Sequence, residues 1–517
     1  SLISRAWPLS FASRPPADAP ADLAFLALPS GLLWKIVACA RKQGVAPHEA
    51  LLADEVVSAE HYYRCLARRL GLPFWDHGEA AGPLIAPQGE ALLAVLETGS
   101  PKGAVVTTPQ RLLQRQREAD SRTIADHASH ALGRADASLT AERIPSRRTG
   151  AAFALAVVAV AAAFVAGGAA WLVASGLVSL ILIGAILMRL LATIAGARPL
   201  QEVPPDLPDN ALPRYTILVP LYREATVLAR LLDALERIDY PRAKLDIKLL
   251  IEADDEETRA ALARLAPCVL YDVVIVPPGR PRTKPRALNV GLVFARGDLL
   301  TVYDAEDDPD PLQLRRAAAA FAYAPPQLAC LQCPLTIDNA RDSWLAGLFA
   351  LEYAGLFDVL DPGLARLGLP IPLGGTSNHF RIEALRRLQG WDAWNVTEDA
   401  DMGVRLARMG YGVATLDAPT WEEAPAKPRA WLSQRRRWMK GWTQTLIVHL
   451  RHPLRVKREL GALRATALAL TLAGGVLGPL FGPFYAAFLI HDAIWGALLS
   501  PETTGQMIVS AGWCAIA

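Results

Sequence analysis

Long apolar stretches divide this chain into separate parts. From Gly150 to Ile194 the only charged residue is Arg189, and a second, mainly apolar zone covers 465–517. The first stretch, about 45 residues long, suffices for two membrane spans of roughly 20 residues each. The pattern therefore predicts a transmembrane hairpin over 150–196, with its turn near Gly176, and further transmembrane helices over 465–517.

Basic residues at the flanks of these zones predict their orientation. Arg147 and Arg148 precede the first zone, Arg198 follows it, and more basic residues lie within 451–464. Positive charge next to a span favours the cytosolic side. We therefore expect a multi-pass protein of the cell inner membrane, with a large cytosolic region over 204–453. Because the sequence starts at Ser1 and stops within an apolar run, we also expect a fragment.

The N-terminal region, 1–145, has the pattern of short helices. Pro47 suits the first turn of a helix, and Ser58 suits the N-cap position of the next one. We expect a small, mainly helical domain at about 30–135 with a docking or structural role.

Between 204 and 453, apolar runs of strand length alternate with helical patterns. This alternation predicts an α/β domain with a mainly parallel sheet covered by helices, in which ligands bind beyond the carboxyl ends of the strands. The predicted strands are 215–219, 247–251, 273–276 and 299–303, and the predicted helices are 225–237, a helix after Glu256, and 286–295.

Carboxylates follow three of these strands, in PLYRE at 220–224, EADD at 252–255 and DAED at 304–307. Like charges that converge on one crevice repel each other unless a cation lies between them. Oxygen ligands suit Mg²⁺ or Mn²⁺, which often take only one or two protein carboxylates and complete their shell with phosphate oxygens. Asp304 and Glu306 are the candidate metal ligands. The alternative, a solvated acidic helix cap, fits less well with a position directly after a strand.

Composition narrows the possible partners. The 517 residues include 53 Lys+Arg and 51 Asp+Glu, so the net charge of +2 gives no support to nucleic-acid binding. Six scattered cysteines are typical of a reducing compartment. Cys330 and Cys333 form a CxxC without a second pair, which predicts a buried strand, and His379 is expected to be a core histidine.

The motifs of the cytosolic region, in this order and spacing, resemble the family 2 glycosyltransferases of the membrane-embedded cellulose-synthase-like group. The resemblance covers about 214–450 and implies the GT-A (Rossmann-like) nucleotide-sugar fold. Its motifs are VPLYRE at 219–224, Asp254-Asp255, KPRALNVG at 284–291, DAED at 304–307, GGTSN at 374–378, TED at 397–399 and QRRRW at 434–438. Glu306 departs from the commonest DxD form of the metal motif.

The resemblance assigns roles to individual residues. It implies Mg²⁺ or Mn²⁺ on Asp304 and Glu306, and donor nucleotide contacts by Pro220, Tyr222, Glu224, Asp254, Lys284 and Asn289. Diphosphate and acceptor contacts are implied for Gly375, Thr376, Ser377, Gln434, Arg437 and Trp438. For Gln434, Arg437 and Trp438 the alternative without a catalytic role is a membrane-surface helix whose aromatic and basic residues serve only as an anchor.

Transfer from a nucleotide sugar needs a carboxylate that accepts the proton of the attacking hydroxyl. We assign this role to Asp399, with Glu398 as the alternative. Asp399 is also expected at the start of a helix, whose dipole would hold the pKa of the carboxyl down. One base and no second nucleophile imply inversion, hence a β-linkage from an α-linked donor.

These inferences predict a metal-dependent, membrane-bound inverting glycosyltransferase that moves a hexose, expected to be glucose, from a UDP-sugar to a growing polysaccharide or glycan. Within this class, UDP-N-acetylglucosamine or another donor remains open. Phosphoryl or nucleotidyl transfer is a further alternative, since it also uses a metal and carboxylates. The third alternative is a regulatory or scaffold membrane protein with a decayed transferase site and a ligand-sensing N-terminal domain.

A second resemblance concerns the N-terminal region. Residues 41–74 resemble the small helical domain of type II secretion ATPases, some of which bind cyclic di-GMP. Gln43 and Glu55 replace a leucine and a glycine that are important in the ligand-binding form. Cyclic di-GMP is therefore a candidate partner, next to the simpler docking role.

Overall fold

The computed structural model describes residues 23–76, 94–98, 103–144, 168–197, 205–265 and 271–494, with single residues between 151 and 162. The predicted first limb of the hairpin lies mostly outside these residues, as does the chain from 495. The helices are α1 (Ser30–Gln43), α2 (Pro47–Ala53), α3 (Ala59–Leu70), α4 (Pro109–Ala119), α5 (Ser121–Ala135), α6 (Gly168–Gly196), α7 (Leu228–Glu236), α8 (Glu256–Arg264), α9 (Lys284–Phe294), α10 (Gln313–Tyr323), α11 (Trp344–Tyr353), α12 (Asp361–Arg366), α13 (Ile382–Arg387), α14 (Glu398–Arg408), α15 (Pro428–Leu450), α16 (Pro453–Leu460) and α17 (Ala462–Ile494).

The strands complete the described elements. They are β1 (Ala94–Thr98), β2 (Gly103–Thr107), β3 (Tyr215–Leu221), β4 (Leu245–Glu252), β5 (Tyr271–Val276), β6 (Leu299–Val302), β7 (Asp308–Pro309), β8 (Leu328–Gln332), β9 (Leu335–Ile337), β10 (Asn378–Arg381), β11 (Gly412–Thr415) and β12 (Thr420–Glu422). Two short 3₁₀ turns, Ala24–Leu26 and Arg242–Lys244, and a π-helix, Ala354–Leu360, connect them.

Three short helices, α1 to α3, begin the described chain, as the sequence predicts. Pro47 lies in the first turn of α2, and the Ser58 hydroxyl accepts a backbone hydrogen bond at the start of α3. The apolar faces of these helices form a core of their own with Val106 of β2. Ile124 of α5 instead packs into the core of the following domain. Among the described residues, α5 thus contributes to the core of the large domain, and the domain limit near 135 stays a prediction.

A mixed seven-stranded sheet forms the centre of the large domain. Its spatial order is β11-β8-β10-β6-β3-β4-β5. Only β10 runs antiparallel to its neighbours in this sheet. The predicted GT-A-like α/β fold with a mainly parallel sheet is confirmed. A smaller sheet, in the order β7-β12-β9, lies beside it.

Helices cover both faces of the large sheet, because neighbouring strand residues point to opposite sides. Leu218 of β3 packs into the core that includes Leu288 of α9. Its neighbour Ile217 packs into the second core, with Leu231 of α7 and Leu314 of α10. The two cores hold the sheet rigid, so that the loops at its carboxyl edge start from fixed positions.

Two long apolar helices, α6 and α17, pack against each other. Their segments Gly176–Gly196 and Ala462–Pro483 are long and apolar enough to cross a membrane. A Cβ at Gly474 would lie only 2.7 Å from the Ala185 side chain, so this glycine lets the two helices approach closely.

The sequence-based prediction of a turn near Gly176 is wrong. The helix α6 continues from Gly168 to Gly196 without a break. Glycine is common within apolar membrane helices, so Gly176 alone is not a stop signal. The helix α17 likewise contains both Pro479 and Pro483.

A buried carboxyl group lies where α6 meets the large domain. Asp361 begins α12, is 1% exposed, and has no hydrogen-bond partner for either carboxyl oxygen among the described residues. The backbones are close here, since a Cβ at Gly363 would lie 1.8 Å from the Ala192 carbonyl oxygen. Burial therefore raises the pKa of Asp361 well above its ordinary value.

Asp361→Asn is expected to stabilise the protein at pH 8 and to change little near pH 4. A carboxyl group with a raised folded-state pKa binds more protons in the folded than in the unfolded protein, so the free energy of unfolding falls as the pH rises from the unfolded-state value. Asparagine does not titrate, so the difference should grow by up to about 1.4 kcal/mol per pH unit until the folded-state pKa is passed. Thermal unfolding in detergent measures the effect, with Asp342→Asn at an exposed position as the control. Equal melting temperatures at pH 8 would contradict the prediction.

Candidate active site

Loops at the carboxyl edge of the sheet bring acidic side chains together. Glu224 follows β3, while Asp304 and Glu306 follow β6. Burial and then the charge of Asp304 raise the pKa of Glu224 and of Glu306. Asp399, in the first turn of α14, also lies within reach of the Asp304 charge. The structure thus places these four predicted residues around one crevice.

Lys284 lies at the centre of this crevice, at the start of α9. Its Nζ is 2.6 Å from Asp304 Oδ1 and donates to the Gly375 carbonyl oxygen over 2.7 Å. Burial opposes its charge, but Asp304, Glu398 and Asp399 together raise the pKa of the ammonium group above its ordinary value. Lys284 therefore remains a cation in the crevice and links the metal motif to the TED motif.

The two carboxyl groups of the TED motif differ in their titration. Burial raises the pKa of Asp399 to about 6 and that of Glu398 to about 8, and the Asp399 charge adds to the shift of Glu398. The prediction that the helix dipole holds the pKa of Asp399 down is wrong, because burial outweighs the dipole and the backbone hydrogen bond from Ala400. At neutral pH Asp399 is ionised and can accept a proton, whereas Glu398 is mostly protonated.

Asp304 and Glu306 fit a divalent cation by the chemistry of their oxygens. Within the described parts of the chain, no three His, Cys, Asp or Glu side chains are arranged as a metal site by themselves. Mg²⁺ and Mn²⁺ need only one or two protein carboxylates when phosphate oxygens complete the shell. The raised pKa of Glu306, caused by burial and by the Asp304 charge, shows that added positive charge is favourable here. Bound at these two residues, the ion would stabilise negative charge on a leaving diphosphate.

An exposed cluster at the mouth of the crevice contains two of the predicted nucleotide residues. The Tyr222 hydroxyl accepts a hydrogen bond from Arg282 over 3.1 Å, and the same guanidinium group lies 2.9 Å from Asp254. Pro220 lies within β3 below them. Asp255 instead caps α8, where it accepts a hydrogen bond from the Thr258 amide. Asp254 is thus the residue of the acidic pair that remains available to a ligand.

Asn289 does not belong to this crevice, which corrects the sequence-based prediction. Its Nδ2 donates to the carbonyl oxygens of Ala128 and Trp391, and its Oδ1 accepts from the Trp391 amide over 2.8 Å. The residue is five positions after Lys284 on α9, and five positions turn a helix by roughly 140° beyond one full turn. Asn289 therefore connects α5 to the loop at Trp391.

Asn289→Ala is accordingly expected to lower stability and to leave nucleotide binding unchanged. The substitution removes three buried hydrogen bonds and leaves backbone groups unsatisfied, so the free energy of unfolding should fall by roughly 2–3 kcal/mol. Thermal unfolding and UDP binding to the purified chain measure the two effects. Tyr222→Ala is the matched control, for which UDP affinity should fall at constant melting temperature. A large loss of UDP affinity in a stable Asn289→Ala protein would restore the nucleotide role.

The GGTSN segment contributes less to the crevice than predicted. Thr376 and Ser377 are buried, and their hydroxyls bond inside the domain, to the Val302 carbonyl and to the Thr420 hydroxyl. Both precede β10, an interior strand of the sheet, so their side chains support the loop from below. Of the three predicted residues, Gly375 lies at the crevice, where a Cβ would be 3.4 Å from Asp399 Oδ2.

The QRRRW segment lies on α15 beside α11. The Trp438 ring packs 5.8 Å from the Phe349 ring, and the Arg435 guanidinium group lies 4.8 Å from the Trp438 ring centroid. Arg435 also forms an ion pair with Glu352. The motif thus fixes α15 to α11 through Arg435, a residue to which the sequence analysis gave no role.

Comparison with known families agrees with this geometry. Residues 216–381 match the family model described as glycosyl transferase family 2, and residues 299–500 match the one described as glycosyl transferase family group 2. The chain contains a family 2 glycosyltransferase domain. Such a domain is that of a transferase enzyme.

Curated relatives of this glycosyltransferase domain have related names. "Probable glycosyltransferase YdaM" of Bacillus subtilis is 24% identical over 48% of this chain and 60% of its own length. "Beta-monoglucosyldiacylglycerol synthase" of Synechocystis is 28% identical over 50% of this chain and 56% of its own length. "Probable glucomannan 4-beta-mannosyltransferase 3" of Arabidopsis thaliana is 23% identical over 47% of this chain and 45% of its own length. The chain thus spans about half the length of the curated relatives it matches.

Among solved structures, the chain is similar to the mannosyltransferase PcManGT from Pyrobaculum calidifontis, in complex with GDP-Man and Mn²⁺. The identity is 24%, the TM-score is 0.46, and the match covers 66% of this chain and 97% of the other.

Two further side chains of the glycosyltransferase domain were not found from the sequence. Burial, followed by the charges of Asp304 and Glu306, raises the pKa of Glu422 to about 8, and the Tyr353 hydroxyl bonds to this carboxyl group. Glu422 lies on β12 of the small sheet and is followed by a second glutamate, Glu423. The sequence alone does not show which of the two glutamates faces the crevice. A strand assignment for Thr420–Glu422 would have identified Glu422, but this short strand forms only by pairing with β7 and β9, which are distant in sequence.

The residues that the sequence analysis assigned to the core are confirmed there. His379 is fully buried, and its Nδ1 lies 2.6 Å from the Tyr215 hydroxyl. Burial lowers the pKa of His379 to about 3, so it stays neutral. Cys330 and Cys333 are free, buried thiols in and after β8.

Proposed function

We propose that this protein is a membrane-bound, inverting hexosyltransferase that moves a sugar, in the first instance glucose, from a UDP-sugar to a growing polysaccharide or glycan. The arrangement of Lys284 between Asp304 and Asp399 carries the proposal. It combines, in one crevice, a cation for the donor side with an ionised carboxylate for the acceptor side.

In the proposed reaction, the acceptor hydroxyl oxygen attacks the anomeric carbon while the bond from that carbon to the diphosphate oxygen breaks. Asp399 accepts the hydroxyl proton, and its pKa of about 6 suits this role at neutral pH. Lys284 holds positive charge beside Asp304, where the diphosphate develops negative charge. With one base and direct attack, the configuration at the anomeric carbon inverts.

The acceptor side of the proposal uses α15. The Gln434 Oε1 atom is buried without a hydrogen-bond partner among the described residues, while Arg437 is exposed. A buried amide oxygen without a partner is stabilised by a donor such as a sugar hydroxyl, and an exposed guanidinium group is available to a diphosphate. The Trp438 face, although packed against α11, lies on the same helix.

The proposed location is the membrane, with the catalytic domain on the cytosolic side, as in the cellulose-synthase-like group. Two observations support it. The segments Gly176–Gly196 and Ala462–Pro483 are long and apolar enough to span, and basic residues precede the second of them at Arg455, Lys457 and Arg458.

For the N-terminal region we propose the small domain of the secretion-ATPase type, with cyclic di-GMP as its candidate ligand. Glu55 adopts a positive φ of 52°, a backbone conformation that favours glycine. This conformation fits the resemblance, in which the ligand-binding form has glycine at that position. The ligand itself remains a prediction.

The test is sugar transfer by membranes that contain the full-length protein. UDP-glucose, UDP-N-acetylglucosamine and GDP-mannose are supplied as labelled donors with Mg²⁺ or Mn²⁺, and both nucleotide release and incorporated label are measured. Turnover of one UDP-hexose, with a β-linked product, is the expected result. Turnover of GDP-mannose alone would overturn the donor assignment. Failure of every donor, together with cyclic di-GMP binding, would favour the regulatory alternative.

A further inference from the structure

The loop over 388–397 leads directly into the helix that carries Asp399. Within the glycosyltransferase domain it is held by α15, because the Asn395 side chain donates to the Thr445 hydroxyl over 2.9 Å. The position of the loop fixes the first turn of α14. Displacement of the loop therefore moves the Asp399 carboxylate relative to Lys284.

A second set of contacts comes from outside the domain. Residues 121–144, which we call the strap, precede the membrane helix α6 and run along the domain. The Thr140 hydroxyl and the Ala141 amide donate to the two oxygens of Asp392, over 2.9 and 2.6 Å. The Trp394 indole donates to the Ser129 carbonyl oxygen over 3.0 Å. Thr140 and Asp392 are 2% and 1% exposed, so water does not substitute for either partner.

The strap is also fixed at its far side. Arg455 of α16 pairs with Asp136 over 2.7 Å and donates to the Ser138 hydroxyl. Arg451, at the end of α15, donates to the Thr140 carbonyl oxygen over 2.7 Å. The strap therefore joins the helix of the QRRRW motif to the loop before the TED motif.

Electrostatics favours the contact between the strap and Asp392. Burial raises the pKa of Asp392 to about 6, and the nearby Asp401 charge adds to this. The Ala141 and Thr140 hydrogen bonds and the Arg405 charge act in the opposite direction. Asp401 already forms an ion pair with Arg405, and its Oδ1 atom lies 2.9 Å from His449 Nε2. Without the strap, the Asp392 carboxylate would lose the Thr140 and Ala141 donors and keep only the Trp394 amide of its own loop, beside the Asp401 charge.

We propose that two contacts of the strap, from Thr140 and Ala141 to Asp392, position the loop before Asp399, so that the segment ahead of the membrane helices controls the placement of the base. This inference rests on the proposed function. Thr140 and Asp392 are positioning residues, since they act through the loop and not on the substrate.

The test compares Thr140→Val with Thr140→Ser in the full-length protein in membranes. We expect Thr140→Val to lower kcat about tenfold, with the donor KM and UDP affinity within about twofold of the wild type, because misplacement of a base affects the chemical step. Serine keeps the donor hydroxyl and should restore kcat. Thr123→Val, at an exposed strap position, is the control. Hydrogen exchange of the amides over 391–400 should be faster in Thr140→Val alone.

The outcomes separate this inference from the proposed function. Wild-type kcat in a folded Thr140→Val protein overturns the inference, as does a kcat that serine does not restore. If Thr140→Val does not fold, Asp392→Asn, which keeps the side-chain volume, takes its place. If the wild type turns over no donor, the proposed function fails. Hydrogen exchange in Thr140→Val then tests the positioning role of the strap separately. Unchanged protection of the amides over 391–400 overturns this role, and a local loss of protection supports it.

Discussion

Asp399→Asn is expected to reduce kcat about 10³-fold while UDP binding stays near the wild-type value. Asparagine has nearly the same shape as aspartate, but it cannot accept the proton of the attacking hydroxyl. In the wild type, kcat should fall tenfold per unit below about pH 6, because burial raises the pKa of Asp399 to about 6 and the protonated acid is inactive as a base. Single-turnover transfer and UDP binding, measured on the same preparation, separate chemistry from binding.

Glu398→Gln is the matched control for this experiment. Burial and the Asp399 charge raise the pKa of Glu398 to about 8, so the side chain is already neutral at pH 7 and glutamine resembles its resident form. Its kcat should therefore stay within about tenfold of the wild type. If Glu398→Gln is inactive and Asp399→Asn is active, the two roles must be exchanged.

The central strands could be predicted because their signal is local. Apolar runs such as 215–219 and 247–251 are bounded by turns and alternate with helical patterns, and the structure extends each by a few residues at most. The antiparallel direction of β10 could not be predicted in this way. Four residues, Asn378–Arg381, carry no directional signal, and only pairing with β6 and β8 decides it.

The site was predictable where a motif residue immediately follows a strand. Asp304 and Glu224 reach the crevice for this reason. Asn289 was misassigned because a motif specifies the order of residues and not the face of a helix, and α9 turns Asn289 away from Lys284. Arg435 was missed because its role depends on the aromatic rings and the carboxylate of α11, which are distant in sequence.

The error in the pKa of Asp399 has a similar origin. A helix start is visible in the sequence, and its dipole stabilises an ionised carboxylate by at most about 1–2 kcal/mol. Burial depends on elements that are distant in sequence, among them Gly375 of the GGTSN loop and Lys284 of α9, which meet Asp399 only in the fold. Desolvation of a carboxylate outweighs the dipole, and the result is a better base at neutral pH than the dipole alone would allow.

Lys284→Met is expected to lower kcat at pH 7 by about 10²-fold and to move the acid limb of the pH profile to higher pH. In the wild type, the Lys284 charge lowers the pKa of both Asp399 and Glu398 and so opposes the effect of burial. Methionine keeps the apolar stem and removes the charge, so the pKa of Asp399 should rise and a larger fraction of the base is protonated at pH 7. Partial recovery of kcat at pH 8.5 follows from the same argument. The measurement is kcat from pH 5 to 9.

Arg282→Met provides the comparison for this prediction. Arg282 is a cation of the same region, but it is half-exposed and pairs with Asp254 at the mouth of the crevice. Its loss should raise the donor KM and leave the acid limb where it is. If both variants raise only KM, Lys284 serves donor binding alone and does not tune the base. If Lys284→Met moves the acid limb and Arg282→Met does not, the ionisation of Asp399 depends on the cation that also pairs with Asp304, and donor and acceptor sides of the crevice are electrostatically coupled.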